Sequence, residues 1–126
     1  MLRDLKEQMK VLERDHEILE QVLVELSEED VYNNIDLRFD LVGKCFEYIS
    51  EHIIREEHTM AWTKYTGLAE HEQAHEQLQE NFLRYMRQIL SGELSCQEAV
   101  DIYGSMFRKH IEVVDAPFYS WVKTLI

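Results

Sequence analysis

The sequence predicts an all-α fold, an antiparallel up-down-up-down four-helix bundle formed as one domain over residues 1–126. Three observations predict it. Apolar residues recur at spacings of three and four in four separate segments, the period of a helix face turned to a core. One proline and four glycines leave long stretches without a breaker. Short polar turns separate the segments, and short turns make consecutive helices antiparallel neighbours.

In the first segment the seam is Leu5, Met9, Leu12, His16, Leu19, Leu23 and Leu26, closed by Ser27-Glu28-Glu29-Asp30. The second runs from about residue 35 to about residue 65. Val42, Cys45, Ile49, His52 and Glu56 form its seam, flanked by Phe46 and Ile53. The third follows Thr66-Gly67 and carries Leu68, His71, His75, Leu78, Phe82 and Ile89. Gly92 is placed to stop it. Ser95 with Glu98 reads as a capping box that opens the fourth helix. The seam of that helix is Ala99, Tyr103, Met106, His110 and Val113, and Pro117 disturbs it near its end. Trp62 and Trp121 read as packing residues.

Composition narrows the function classes. The formal net charge is −12, which argues against nucleic acid and anionic membrane as partners because both repel an acidic surface. No apolar run approaches the roughly 20 residues of a membrane span. Met1-Leu2-Arg3-Asp4 leads straight into a charged segment, unlike a signal peptide. Cys45 and Cys96 fit no disulfide framework or CxxC motif. Reduced thiols in a cytoplasmic protein are the simplest reading. Cys45 falls on a core position. Cys96 opens the fourth helix, where the helix dipole lowers a thiol pKa, although a packing role is the simpler assignment.

Every seam carries histidine where a bundle ordinarily places leucine, and two seams add carboxylates. In an antiparallel hairpin, residues equidistant from the turn lie at one height. The midpoint of His16 and His52 is residue 34, in the first turn. The pairs His52/Glu56 and His71/His75 are centred on a point between residues 63 and 64, close to the second turn. His71/His75 and His110/Asp115 are centred near residue 93, inside the third. Three turns thus bring seven groups to one level: His16, His52, Glu56, His71, His75, His110 and Asp115. Chance core histidines would not align in this way, so the level reads as a metal site. His58 lies about 240° around the helix from His52 and faces outward. Glu57 and Glu72 also lie off the seams and read as solvated.

His52/Glu56 and His71/His75 are four residues apart and share a face. His110 and Asp115 are five apart, about 140° on a regular helix. Pro117 offers a cure, because its ring opposes the Val113 carbonyl and biases Ala116 away from helical geometry. A local widening of the π type would bring Asp115 inward.

Five imidazoles and two carboxylates exceed the needs of one ion, since zinc commonly takes four ligands. Two ions are the natural count. If Glu56 and Asp115 each give one oxygen to each ion, with a solvent-derived oxygen also bridging, His71, His75 and His110 complete six-coordination on one. His16 and His52 bring the other to five, leaving one place open in an apolar bundle. Such a place suits a small diatomic ligand on a redox metal. The mixed donor set suits iron without excluding other transition metals.

The string His71-Glu72-Gln73-Ala74-His75 also matches the zinc-protease pattern H-E-x-x-H. A protease needs a third ligand and an exposed cleft. Leu78 and Asn81 stand where a downstream G-x-x-H would be, and Glu72 points about 100° off the seam.

The set His16, His52-Ile-Ile-Arg-Glu56, His71-x-x-x-His75 and His110-x-x-x-x-Asp115 resembles haemerythrin and its bacterial relatives, from about residue 12 to the C-terminus. The H-x-x-x-E-E-x-x-M run from His52 to Met60 adds to the resemblance. It implies a single haemerythrin-like domain holding two iron ions, bridged by Glu56, Asp115 and an oxo or hydroxo group. It further implies reversible O2 binding at the iron held by His16 and His52, with NO or small anions as other ligands. The family often has phenylalanine after the second histidine and a bulky group such as tryptophan one turn before the last ligand. Here Ile53 stands at the first place, and Met106 and Phe107 at the second. The O2 pocket wall implied for this chain is therefore Leu19, Ile53, Met106, Phe107 and Ile111.

The function expected from this set is O2 storage or delivery without turnover, so the protein is not expected to be an enzyme. Di-iron oxygenases use carboxylate-rich Glu-x-x-His pairs whose glutamates face the core, whereas the Glu-x-x-His strings of this chain, Glu13 to His16 and Glu72 to His75, carry their glutamates off the seams. Sensing of O2, NO or redox state through a protein partner or an oligomer is the alternative, followed by peroxide- or iron-handling catalysis.

Overall fold

A computed structural model describes residues 2–28 and 33–126, with side chains from Asp4 onward. Four helical arms build the molecule. Helix α1 spans Leu2–Leu26, α2 Ile35–Thr63, α3 Leu68–Ser91 and α4 Cys96–His110. A π turn over Ile111–Asp115 continues α4 into α5, Ala116–Lys123. Helix α1 packs on α2, α2 on α3, α3 on α4, and α4 back on α1, closing the predicted bundle. No strand occurs among the described residues, and no helix there is long and apolar enough to cross a membrane.

The ends follow local chemistry. Asn34 caps α2 by accepting from the backbone N–H groups of Asp36 and Leu37 at 3.1 and 3.2 Å, two donors a helix start leaves unpaired. Helix α2 ends two residues before the expected Tyr65. Lys64 enters the left-handed region at φ 59°, and the Tyr65 N–H closes on the Met60 carbonyl at 2.9 Å. Gly67 then lets the Tyr65 ring lie over the backbone, since a Cβ there would sit 2.7 Å from that ring. Gly92 takes φ 81° at the end of α3, the conformation glycine adopts without a Cβ penalty. Ser95 Oγ accepts from the Glu98 N–H at 3.0 Å and donates to the Glu98 carboxylate at 3.2 Å. Glu29, Asp30 and Tyr32, read as part of the first connection, lie outside the described residues.

Two apolar clusters fill the bundle. The larger joins Leu19, Leu23, Val42, Ile49, Phe82 and Phe107 with their neighbours at one end. The smaller joins Leu5, Met9, Leu12, Met60, Phe118 and Val122 at the other. Between them, on every arm, the seam turns polar. Two seam assignments change. Val113 is 59 % exposed, because the π turn that carries Asp115 inward carries Val113 outward. Phe107, not Met106, is the buried residue of its turn. Trp121 packs on Tyr65 and Phe118 as expected. Trp62, in contrast, is exposed, at the rim of a surface pocket that it shares with Asp4 and Gln8 of α1.

Candidate metal centre

The polar layer is built from one or two turns of each arm. His52 and Glu56, four apart on the regular α2, point to the bundle axis and are buried. His71 and His75 do the same on α3. His16 is the least enclosed, with its side chain 14 % exposed. On the fourth arm the π turn resolves the five-residue spacing. Pro117 has no N–H with which to reach the Val113 carbonyl. The Ala116 N–H bonds Ile111 O instead, five residues back, the wider π pattern. One extra residue fits into the turn, and Asp115 rotates inward until it is 1 % exposed. His110 and Asp115 then approach to 3.0 Å, Nε2 to Oδ1.

The seven predicted residues converge, and the two carboxylates divide among the imidazoles oxygen by oxygen. Glu56 Oε1 lies 2.8 Å from His71 Nε2 and 3.1 Å from His75 Nε2. Glu56 Oε2 lies 3.2 Å from His52 Nε2 and 4.0 Å from His16 Nε2. Asp115 Oδ1 faces His71 at 2.7 Å and His110 at 3.0 Å, while Oδ2 faces His16 at 3.4 Å. Two overlapping groups result: Glu56, His71, His75, His110 and Asp115, and His16, His52, Glu56 and Asp115. Within each, one donor atom per residue lies within 4.8 Å of all the others. These buried residues can hold a metal ion. The fit shows in what the protein leaves over. His110 Nε2 meets Asp115 Oδ1 at 3.0 Å and Asp115 Oδ2 meets His16 Nε2 at 3.4 Å without the alignment of a hydrogen bond, so these buried atoms keep lone pairs that an ion would use better.

Electrostatics tie the groups together. Burial resists charge on Glu56, but hydrogen bonds from His52, His71 and His75 outweigh it and hold the carboxyl well below its usual range. Asp115 is pulled to about 2 against the same burial cost by His110, His16 and His71. Burial disfavours imidazolium at His52 and His71, yet their carboxylate partners raise both to about 9. The protein alone therefore balances the layer with protons, and an ion would compete for the same lone pairs.

Comparison with family models, with curated proteins and with solved structures finds no match for the chain. The site is therefore read from its own geometry.

Three residues that matter here escaped the sequence reading. Asp15, buried, accepts from His52 Nδ1 at 2.9 Å and takes a bidentate contact from Arg55 at 2.9 and 2.7 Å. Burial would raise its pKa, but His52 and Arg55 bring it below the usual value. Glu57, expected in solvent, accepts from His75 Nδ1 at 3.2 Å with its side chain 29 % exposed. A carboxylate at Nδ1 fixes the tautomer and presents Nε2 as the ligand atom. Turn symmetry carried a signal for both. Glu57 and His75 are equidistant from residue 66, and Asp15 sits beside His16 at the level of His52. Tyr119, one turn after Asp115, donates to Glu56 Oε2 at 2.8 Å and stacks on His16 with ring centroids 5.6 Å apart. Burial, then the charges of Glu56 and Asp115, raise its pKa above the ordinary phenol value.

The remaining assignments divide. Leu19, Ile53 and Phe107 are buried in the larger apolar cluster, with Ile111 half-buried against it. The Phe107 ring meets His16 edge-on at 6.1 Å. Met106 instead lines an outer cleft of about 360 Å3 beside Leu78, His110 and Val113. Glu72 and His58 are exposed. Cys45 is buried and pushed up to about 12 by desolvation. Cys96 is also buried, and desolvation raises its thiol. That bears out the packing role over a dipole-lowered thiol, because the side chain packs into the core.

Proposed function

We propose that the protein is a haemerythrin-like, non-haem di-iron protein that binds O2 reversibly for storage or delivery. The division of Glu56 and Asp115, one oxygen toward each imidazole set, supports this reading most directly. Each carboxylate would bridge, His71, His75 and His110 would hold one iron, and His16 and His52 the other. With two imidazoles against three, the second ion has a place to spare. Two ferrous ions there would supply the reversible electron donation that O2 binding requires.

The chain's own residues do the rest. Asp15 and Glu57 hold imidazoles on both sides in the ligating tautomer. Leu19, Ile53 and Phe107 keep water from the His16/His52 side. The Tyr119 hydroxyl, which donates to Glu56 Oε2, sets a polar group beside a wall that the sequence had suggested was apolar. Proteolysis has no support, because Glu72 faces solvent and both histidines of its motif point at buried carboxylates. Gas cycling tests the proposal. The ferrous protein should take up O2 and return it under vacuum over repeated cycles, with no steady-state consumption. Irreversible oxidation on first exposure would reject it.

A further inference from the structure

The side of the molecule behind Tyr119 carries a second feature that the metal layer does not use. Where α1 meets α5, a surface pocket of about 250 Å3 opens. Its apolar surface comes from Tyr119, Met9 and the exposed Ile126 over the buried Val122, and its charge from Lys6, Lys10 and Lys123 against one glutamate side chain, Glu13. Those are three of the chain's six lysines, gathered at one spot of a protein with net charge −12. Lys10 has a carboxylate neighbour, Glu7 at 3.5 Å, but both side chains are largely exposed, and such pairs hold weakly. An apolar surface edged by mobile cations on an otherwise acidic surface selects against neutral solutes and against small hydrated anions. It favours a compact molecule that is anionic at one end and apolar at the other.

We infer that this pocket binds a small organic anion with an apolar body, of which a short-chain monocarboxylate is the simplest case. The site also touches the metal layer. Tyr119 lines the pocket, while its hydroxyl donates to Glu56 Oε2 and lies 3.3 Å from His16 Nε2. A ligand pressing on Tyr119 bears on a carboxylate shared by both imidazole groups. This link rests on the metal-site reading above; the binding itself does not.

Hexanoate, hexanol and inorganic phosphate are the probes, titrated by calorimetry into the protein as purified. Hexanoate should bind saturably at one site, and the Lys6→Gln/Lys123→Gln variant should bind it about tenfold more weakly or worse. Both lysines are exposed, so the variant keeps the fold. Absence of saturable binding, an unchanged affinity in the variant, or equal affinity for hexanol or phosphate would each overturn the site. Metal-loaded protein tests the link. Hexanoate should shift its visible spectrum, and Tyr119→Phe should abolish the shift while hexanoate still binds. Binding without any shift in the loaded wild type would overturn the link and leave the pocket standing. A chain that binds hexanoate but takes up no metal would reject the metal reading alone.

Discussion

The larger apolar cluster and the polar layer beside it, here called the apolar and polar halves of the main core, share one geometry and differ in chemistry. Toward the turn between α3 and α4, the seams meet as Leu19, Leu23, Val42, Ile49, Phe82 and Phe107, and nearly every contact is apolar. A few turns away, the same seams, widened by the π turn on the fourth arm, carry His16, His52, Glu56, His71, His75, His110 and Asp115. The apolar half favours folding by burial, with the Tyr103 hydroxyl its one buried side-chain group left unpaired among the described residues of that cluster. The polar half costs desolvation that its internal pairs only partly repay, and it leaves His110 Nε2 and Asp115 Oδ2 without hydrogen bonds. Helix periodicity thus decides where side chains meet, and residue type decides whether the meeting is complete without a ligand.

The contrast can be broken from either side. Leu23→Ala in the apolar half should cost about 2–5 kcal/mol in urea melts. The cost should be the same with and without metal, since Leu23 is 2 % exposed within the larger cluster. A cost that depends on metal would mean the halves are not separable.

In the polar half, pH should act in opposite directions on the two forms. His52 and His71 are raised to about 9 without metal. Their contribution is fully present below the unfolded value of roughly 6.5 and is lost as pH rises through about 9. At most it is on the order of 3 kcal/mol for each imidazole. Metal-free protein should therefore lose stability between roughly pH 6.5 and 9. Loaded protein should not, because metal binding strengthens as imidazole deprotonates and is released by acid. Parallel denaturation curves across this window would contradict the competition between proton and ion.

The second layer sharpens the division within the site. Asp15→Ala should weaken the His16/His52 ion about 10–100-fold and leave the other nearly unchanged. Glu57→Ala should do the reverse. Metal competition with a chromophoric chelator reads both. Equal losses at both sites from either variant would mean the two groups act as one. The smallest effect belongs to His58→Ala, an exposed histidine outside the layer. It should change stability by no more than about 0.5 kcal/mol, with metal content unaltered.

Much of this was legible in the sequence because helix and turn geometry are local. Spacings of three and four located the arms, and equidistance from the turns brought seven ligating residues to one height. Pro117 pointed to the π turn, since a missing N–H can be located without coordinates. Other features were missed because they depend on side-chain reach as well as on height. Asp15 and Glu57 sit off the seam by period, yet their carboxylates extend sideways to His52 and His75. Tyr119 reaches across the bundle to Glu56 on a different arm. Cys96 sits at a helix start, where the dipole argument applies, but burial decides its thiol.

One measurement bears most directly on the reading that the layer is a two-ion site. Ferrous iron is titrated anaerobically into metal-free protein, bound iron is counted per chain, and the visible spectrum is recorded before and after air. The predicted result is an end point of two per chain, with a new absorption band that appears in air and disappears under vacuum. An end point of one or none, or a spectrum that air leaves unchanged, would contradict the account.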